Sequence, residues 1–367
     1  MNLSKDLSVI VLAAGKGKRM KSEIPKVMHR ILGQPILHYV LSTIRELNPK
    51  NIFTVTGYKK ELVSDYIKNN FPEVKIAIQE NQLGTAHAVY MVKEERDSFG
   101  KNTLVLSADT PLVSSGILKK LVENKEKTGS EASIVTAVVP EPEGYGRIIK
   151  DRKGNIARII EEADAGPEER KISEVNTSIY CFETESLFGN IEKIKTKNVQ
   201  NEYYLTDIIE TLVKNSKKVS CLKTPDYMEV MGINDRVQLS RLESIMQKRV
   251  NENFMKNGVT IRNPQSCYIE NTVTIEKDVT IEPSCIIKGE TIIGKNSIIG
   301  PFCQITDTVI GKGSRINASV IEGAHIGNNN NIGPYSYIKP DTVTKDNAKI
   351  GKGAFTTEDP VIRGEIP

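Results

Sequence analysis

Between Leu12 and His29 the chain reads LAAGKGKRMKSEIPKVMH. Two glycines, Gly15 and Gly17, stand among Lys16, Lys18 and Arg19, and Lys26 follows Pro25. Glycine lets a backbone reach φ > 0 and approach a ligand with no Cβ in the way. Successive N–H groups can then converge on an anion. The cations add full charge, and arginine can grip a phosphate through two parallel bonds. The chemistry open to such a stretch is holding a nucleotide's phosphates. It is not a P-loop, because no Gly-Lys-Ser/Thr follows. The plain alternative is a glycine-rich surface turn with solvated lysines.

Other residues carry chemistry by type. Asp109 ends the apolar run in TLVLSADTPLV. A carboxylate at a strand end can hold Mg²⁺ against a phosphate, although a lone Asp there is more often a turn or cap residue. In IQENQLGTAHA, Gln79 and Gln82 offer amides that match a pyrimidine's edge. Gly84 and Thr85 either open a path to a base or start a helix. His87, just beyond, reads as structural. Asn234 and Asp235 precede a long helical pattern and suit its N-cap.

The elements that must position these residues alternate. SVIVL, NIFTVTG, VKIAIQ, TLVLSAD and ASIVTAVV read as strands; PILHYVLSTIREL, ELVSDYIKNNF, GTAHAVYMVKEE and SGILKKLVENKEK read as amphipathic helices. This order makes an α/β fold, a mostly parallel sheet covered by helices on both faces. Ligands then bind at the carboxyl ends of the strands. The glycine-lysine loop, QLGTAHA and Asp109 all follow strands, so they should gather along one edge. From Asp235 to Lys256 one helix is expected, with an apolar stripe at Val237, Leu239, Leu242, Ile245, Met246 and Val250. Isoleucine then recurs every sixth residue from Ile269 to Ile305 and, after register shifts, at Ile310 and Ile316 and at Ile326, Ile332 and Ile338. A six-residue repeat marks a parallel β-helix with a stacked apolar core, here of roughly four to five coils. The expected organisation is a first domain over 1–234, a linker helix over 235–257, a β-helix over 258–353 and a tail over 354–367.

Composition narrows the class. A chain of 367 residues with 38% hydrophobic and 26% charged residues fits two soluble globular domains. A net charge of +4 argues against a dedicated nucleic-acid binder and for a small anion at a local basic site. The five cysteines show no CxxC pairing, which favours free thiols in a reducing compartment. No signal-type or membrane-spanning apolar run stands in the sequence, so a cytoplasmic protein with no membrane insertion is expected.

LAAGKGKRM followed by PKVMH resembles the signature of sugar-nucleotide pyrophosphorylases, most closely that of bacterial N-acetylglucosamine-1-phosphate uridyltransferases. The resemblance continues through QLGTAHA, GYGRI, EVNTSIY, NEYYLTDII and GINDRVQLSRLE, to about Pro340. It implies a Rossmann-like nucleotidyltransferase domain followed by a left-handed parallel β-helix. The implied reaction joins UTP and N-acetylglucosamine 1-phosphate into UDP-N-acetylglucosamine and pyrophosphate, with Mg²⁺, feeding cell-envelope precursor synthesis. Carried over residue by residue, it implies catalytic roles for Arg19 and Lys26 and nucleotide contacts at Leu12, Ala13, Ala14, Gly15, Gln79, Gln82, Gly84 and Thr85. It further implies sugar-phosphate contacts at Gly146, Glu161 and Asn176, and metal ligation by Asp109 and Asn234. A homotrimer built through the β-helix is implied as well. Two positions depart from the family pattern: Lys18 stands where threonine is usual, and Ala108 where glycine usually precedes the metal aspartate.

Full-length relatives carry a longer β-helix and acetylate glucosamine 1-phosphate. Here the match reaches NIGPYSYIKP, with Lys339 where the family has an arginine, and the hexapeptide pattern fades after Gly353. His325 matches no catalytic position of the family. The expectation is that acetyltransferase activity is absent and that Phe355, Val361 and Ile362 anchor a tail over the end of the solenoid. Competing readings are a pyrophosphorylase for another hexose 1-phosphate or NTP, a non-enzymatic regulatory relative, and a trimeric scaffold.

Overall fold

The computed structural model describes residues 3–354, 361–362 and 365–366. The chain forms two compact units, one from Met1–His29 with Pro35–Gln238, the other from Arg30–Gln34 with Leu239–Pro367.

The first unit is built on a nine-stranded sheet. In chain order its strands are β1 Leu7–Ala13, β2 Asn51–Thr56, β3 Lys75–Ile78, β4 Asn102–Ser107, β5 Ala132–Val138, β6 Arg147–Lys150, β7 Ile156–Ile160, β8 Glu174–Glu183 and β9 Val219–Lys223. Their order in the sheet is β9-β5-β8-β4-β1-β2-β3, with β6 paired to β8 and β7. The pairs of β1 with β2 and β4, β2 with β3, and β9 with β5 are parallel. Strand β8 runs antiparallel to both β4 and β5. β1 is an almost unbroken apolar run because both faces of the sheet are covered. Alternate residues go to opposite sides: Val9 and Val11 join one buried cluster and Ile10 the other. Helix Ile36–Arg45 turns Ile36, Leu37, Val40, Leu41 and Ile44 inward. Helix Ser115–Thr128 is opened by the Ser114 hydroxyl, which accepts from the Ile117 N–H, and closed by Gly129 in the left-handed region.

Register decides where the loops emerge. Ala13 lies level with Thr56, and Leu12 with Ser107. The segments following β1, β2 and β4 therefore leave the sheet at one edge, as the alternation of elements predicts.

In the second unit, three stacks of short parallel strands form a β-helix. Ile281, Ile299, Ile316, Ile332 and Ile350 pair in turn along one stack. Those isoleucines are essentially inaccessible to solvent. The coil shortens from 18 residues to 17 and then 16 along that stack before returning to 18. The shortening explains the broken sequence period. Ile321, which a strict six-residue reading passes over, fills the inward position between Ile305 and Ile338. The helix Arg236–Lys256 supplies Leu242, Met246 and Asn251 as buried residues, while Val237, at the start of the expected stripe, is exposed. The Asn251 amide donates to the Pro264 and Cys267 carbonyls at 2.8 and 3.2 Å and so ties that helix to the first coil. Strands Val361–Ile362 and Glu365–Ile366 add to two of the stacks in parallel, rather than lying across the solenoid end. Phe355 lies outside the described residues. Among the described residues no helix is long and apolar enough to cross a membrane, and the five cysteines are free thiols.

Candidate active site

A cleft of about 710 Å³ opens in the first unit along the edge where β1 and β4 end. Its floor is Leu12, Ala13, Ala14 and Gly15, the last turn of β1 and the residues after it. Lys16, Gly17, Lys18, Arg19 and Lys26 form one wall, and Gln79, Gln82, Gly84 and Thr85 another. A Cβ on Gly15 would meet nothing within 4 Å, so the space above it is open to a ligand. Gly17 sits at φ +62°, and a Cβ there would come 2.7 Å from the Lys26 Cβ. The loop thus needs glycine at 17 to fold back against Lys26.

Gln79 is buried, and its amide donates to the Gly84 carbonyl at 3.1 Å and meets His87 Nδ1 at 2.9 Å. The structural reading of His87 fits this: the imidazole orients the glutamine. The Gln82 amide donates to the Gln79 carbonyl at 3.0 Å. Gly84 stands at φ +115°, and any Cβ there would strike the Tyr203 backbone at 2.5 Å. Thr85 Oγ1 accepts from the Leu205 N–H at 2.9 Å, so this segment is fixed by YYLT as much as by its own turn.

Asp109 follows β4 and is largely buried. Its carbonyl accepts from the Ile233 N–H at 2.9 Å, which draws the GIN segment alongside. Gly232 passes so close that an added Cβ would lie 3.3 Å from the Asp109 carboxylate. Asp235, not Asn234, caps the following helix: its carboxylate accepts from the Gln238 N–H at 2.8 Å, and Gln238 reaches back to the Asn234 N–H at 2.7 Å. The Asn234 side chain is thereby left to the cleft. Its oxygen accepts from Arg19 Nη2 at 2.9 Å and lies 3.5 Å from Lys26 Nζ, which is also ion-paired with Asp109. Two oxygen donors thus share one ammonium, a hard-donor arrangement that suits a hard divalent cation. Among the described residues no group of three or more His, Cys, Asp and Glu side chains gathers for a metal. Further ligands would have to come from phosphate or water.

Glu161 lines the cleft and accepts from the Thr206 hydroxyl at 3.0 Å. Burial pushes its carboxyl above the usual range, against the pull of that bond, and Asp207, Asp164 and Glu202 push the same way. Gly146 stands beside it: a Cβ there would be 3.4 Å from Glu161 Oε2. Asn176 lies just behind the wall, donating to the Tyr180 hydroxyl at 2.6 Å, and its N–H donates to the Gly146 carbonyl at 2.8 Å. Asp109, Gly146 and Asn176 are therefore behind the lining, while the other residues to which the resemblance gives a catalytic, nucleotide, sugar or metal role line it directly.

Several lining residues escaped the sequence reading. Ser178, Tyr180, Gln200, Glu202 and Thr206 are among them. Ser178 and Tyr180 stand within the EVNTSIY motif and Glu202 and Thr206 within NEYYLTDII, which is the signal that could have found them. Burial raises the Glu202 carboxyl and the charge of Lys18 lowers it. Lys18 and Glu202 both line the cleft.

An open α/β sheet with a glycine-lysine loop, a carboxylate and an amide oxygen converging at its carboxyl edge defines a nucleotidyltransferase. Residues 8–232 match the family model described as nucleotidyl transferase, and residues 269–363 match that of the GMPPB C-terminal domain. The bifunctional protein GlmU of Pelotomaculum thermopropionicum is 42% identical over 346 residues, 94% of this chain and 75% of that protein. That of Caldanaerobacter subterraneus is 41% identical over 341 residues, 93% and 74% of the two chains. That of Thermoanaerobacter pseudethanolicus is 43% identical over 337 residues, 92% and 73%. The chain belongs to the GlmU family, and the resemblance drawn from its motifs is borne out.

Proposed function

We propose that this nucleotidyltransferase transfers the uridylyl group of UTP to N-acetylglucosamine 1-phosphate, releasing pyrophosphate. The observation that carries the reading is the convergence of Arg19, Lys26, Asp109 and Asn234 at one end of a cleft whose far walls hold amides and a carboxylate. Gln79, Gln82, Gly84 and Thr85 would receive the uracil, and the backbone from Leu12 to Gly15 the ribose and phosphates. Gly146, Glu161 and Asn176 would receive the sugar. Glu161 accepts from hydroxyls, while Asn176, whose amide is engaged by the Tyr180 hydroxyl and the Ser178 N–H, would act from behind the wall.

In this reaction a sugar-phosphate oxygen attacks the α-phosphorus, a new P–O bond forms and the bond to pyrophosphate breaks. The nucleophile is already anionic near neutral pH, its second pKa lying near ~6. No general base is required, and the histidines need no part in the chemistry. The barrier is charge repulsion and alignment. Arg19 and Lys26 neutralise charge on the α-phosphate and on the departing pyrophosphate. Asp109 and Asn234 would hold Mg²⁺, which when bound supplies further neutralisation of phosphate charge.

A panel of NTPs and sugar 1-phosphates tests the substrates. UTP with N-acetylglucosamine 1-phosphate should give the highest kcat/KM, and a clear preference for another pair would replace this reading by the related pyrophosphorylase. The reading extends to a homotrimer built through the β-helix, to be checked by light scattering; a monomer mass at micromolar concentration would contradict it. Acetyl transfer to glucosamine 1-phosphate is not expected of these 367 residues. His325 is exposed between Val309 and Val343 on its stack, with no acid from a neighbouring coil beside it in register. CoA release that requires the sugar phosphate would overturn this.

A further inference from the structure

Arg147 opens β6 directly after Gly144, Tyr145 and Gly146, and it is 1% exposed. A buried guanidinium is costly unless its donors are met. Arg147 Nη1 donates to the Tyr145 carbonyl. Nη2 pairs with Glu162 Oε2 at 2.8 Å and reaches the Arg170 carbonyl at 3.5 Å. The same Glu162 oxygen accepts from the Gly144 N–H at 3.3 Å. Arg147 is also level with Val175 on the neighbouring strand β8.

The partners share a location. Tyr145 precedes Gly146, Glu162 follows Glu161, and Val175 precedes Asn176. Three of the four segments that Arg147 meets thus carry one of the residues assigned to the sugar, the Arg170 carbonyl being the exception. None of the partners belongs to Leu12–Gly15 or to Gln79–Thr85. The braced loop also touches the phosphate side at one point, since a Cβ on Gly144 would lie 3.2 Å from Arg19 Nη1.

We propose that Arg147, through its ion pair with Glu162, is a positioning residue that sets the sugar wall of the cleft against Arg19. The inference rests on the uridylyltransferase reading and deepens it, because it divides the cleft into a nucleotide half and a separately braced sugar half. Small displacements of positioning groups have large effects on rate and affinity. Loss of the brace therefore weakens the sugar-phosphate substrate and spares the nucleotide.

The test uses the full chain carrying Arg147→Met, Glu162→Gln or Arg147→Lys. Calorimetry measures the affinity for UTP and for UDP-N-acetylglucosamine, and steady-state kinetics the KM for each substrate. Arg147→Met should raise the KM for N-acetylglucosamine 1-phosphate about tenfold or more. It should weaken UDP-N-acetylglucosamine similarly, with UTP affinity within about twofold of wild type. Arg147→Lys, which keeps the charge, should recover part of the loss. Should Arg147→Met fail to fold, Glu162→Gln breaks the same pair from its more exposed side and should show the same split. Equal weakening of both nucleotides in a folded variant, or an unchanged sugar KM, would overturn the proposal. Wild-type protein that fails to use this substrate pair would instead sink the underlying reading.

Discussion

The ammonium of Lys26 is ion-paired with the carboxylate of Asp109, and both side chains are mostly withdrawn from solvent, at 17% and 12% exposure. Lys26 comes from the loop after β1, and Asp109 from the segment after β4. The pair joins the glycine-lysine loop to the carboxylate that would hold a metal. Asn234 completes the group from just before the long helix.

One consequence concerns stability without metal. Lys26→Ala leaves Asp109 without its partner in a partly buried position, which should cost about 2 kcal/mol. Added Mg²⁺ should then restore more of the melting temperature in Lys26→Ala than it adds to wild type. Asp109→Asn should abolish that response and most turnover while the fold persists by circular dichroism. Near-normal turnover of Asp109→Asn at limiting Mg²⁺ would contradict the ligand assignment.

The two loop lysines should separate cleanly in turnover. Lys26 reaches the Asp109 and Asn234 oxygens, whereas Lys18 lines the cleft together with Glu202 and bonds to neither oxygen. Lys26→Ala should slow the reaction by about two orders of magnitude or more, as loss of a preorganised charge at the transition state does. Lys18→Thr should change it little. Steady-state kinetics giving the opposite order would mean the loop is misassigned.

The pattern of alternating strands and helices made the sheet and its functional edge legible, because buried parallel strands are short, apolar and separated by amphipathic helices. Strands β6, β7, β8 and β9 were not legible in this way. β8 is antiparallel, and β6 and β7 carry charges such as Arg147 and Arg158 that interrupt an apolar run. In the solenoid, Ile321 escaped because coils of 17 and 16 residues break the period. For the site, composition alone marked the phosphate loop. It did not mark Glu161, one acid in the run EEADAGPEE, whose distinction is the buried bond to Thr206. Asn234 looked like a helix cap until Asp235 was seen to take that role.

A pH dependence follows from Asp207. Burial, then Glu210 and Asp164, push its carboxyl up from 3.8 to about 6. An acid whose folded pKa is raised binds its proton more tightly in the native state, so stability falls as pH climbs from about 4 to about 6 and the penalty stays above that. Asp207→Asn should remove the penalty. Allowing for solvent screening at this half-buried site, the variant should gain about 1 kcal/mol, or about 3 °C in melting temperature, at pH 7.5. At pH 4 it should melt with wild type. Thermal melts showing equal shifts at both pH values would contradict the linkage.

The most direct measurement of the account is pyrophosphate release from UTP and N-acetylglucosamine 1-phosphate by the full 367-residue chain, with and without Mg²⁺. Release should require both substrates and the metal, yield UDP-N-acetylglucosamine in equal amount, and be lost in Lys26→Ala and Asp109→Asn. No release above background by the folded wild-type chain, or release that survives both substitutions, would contradict it.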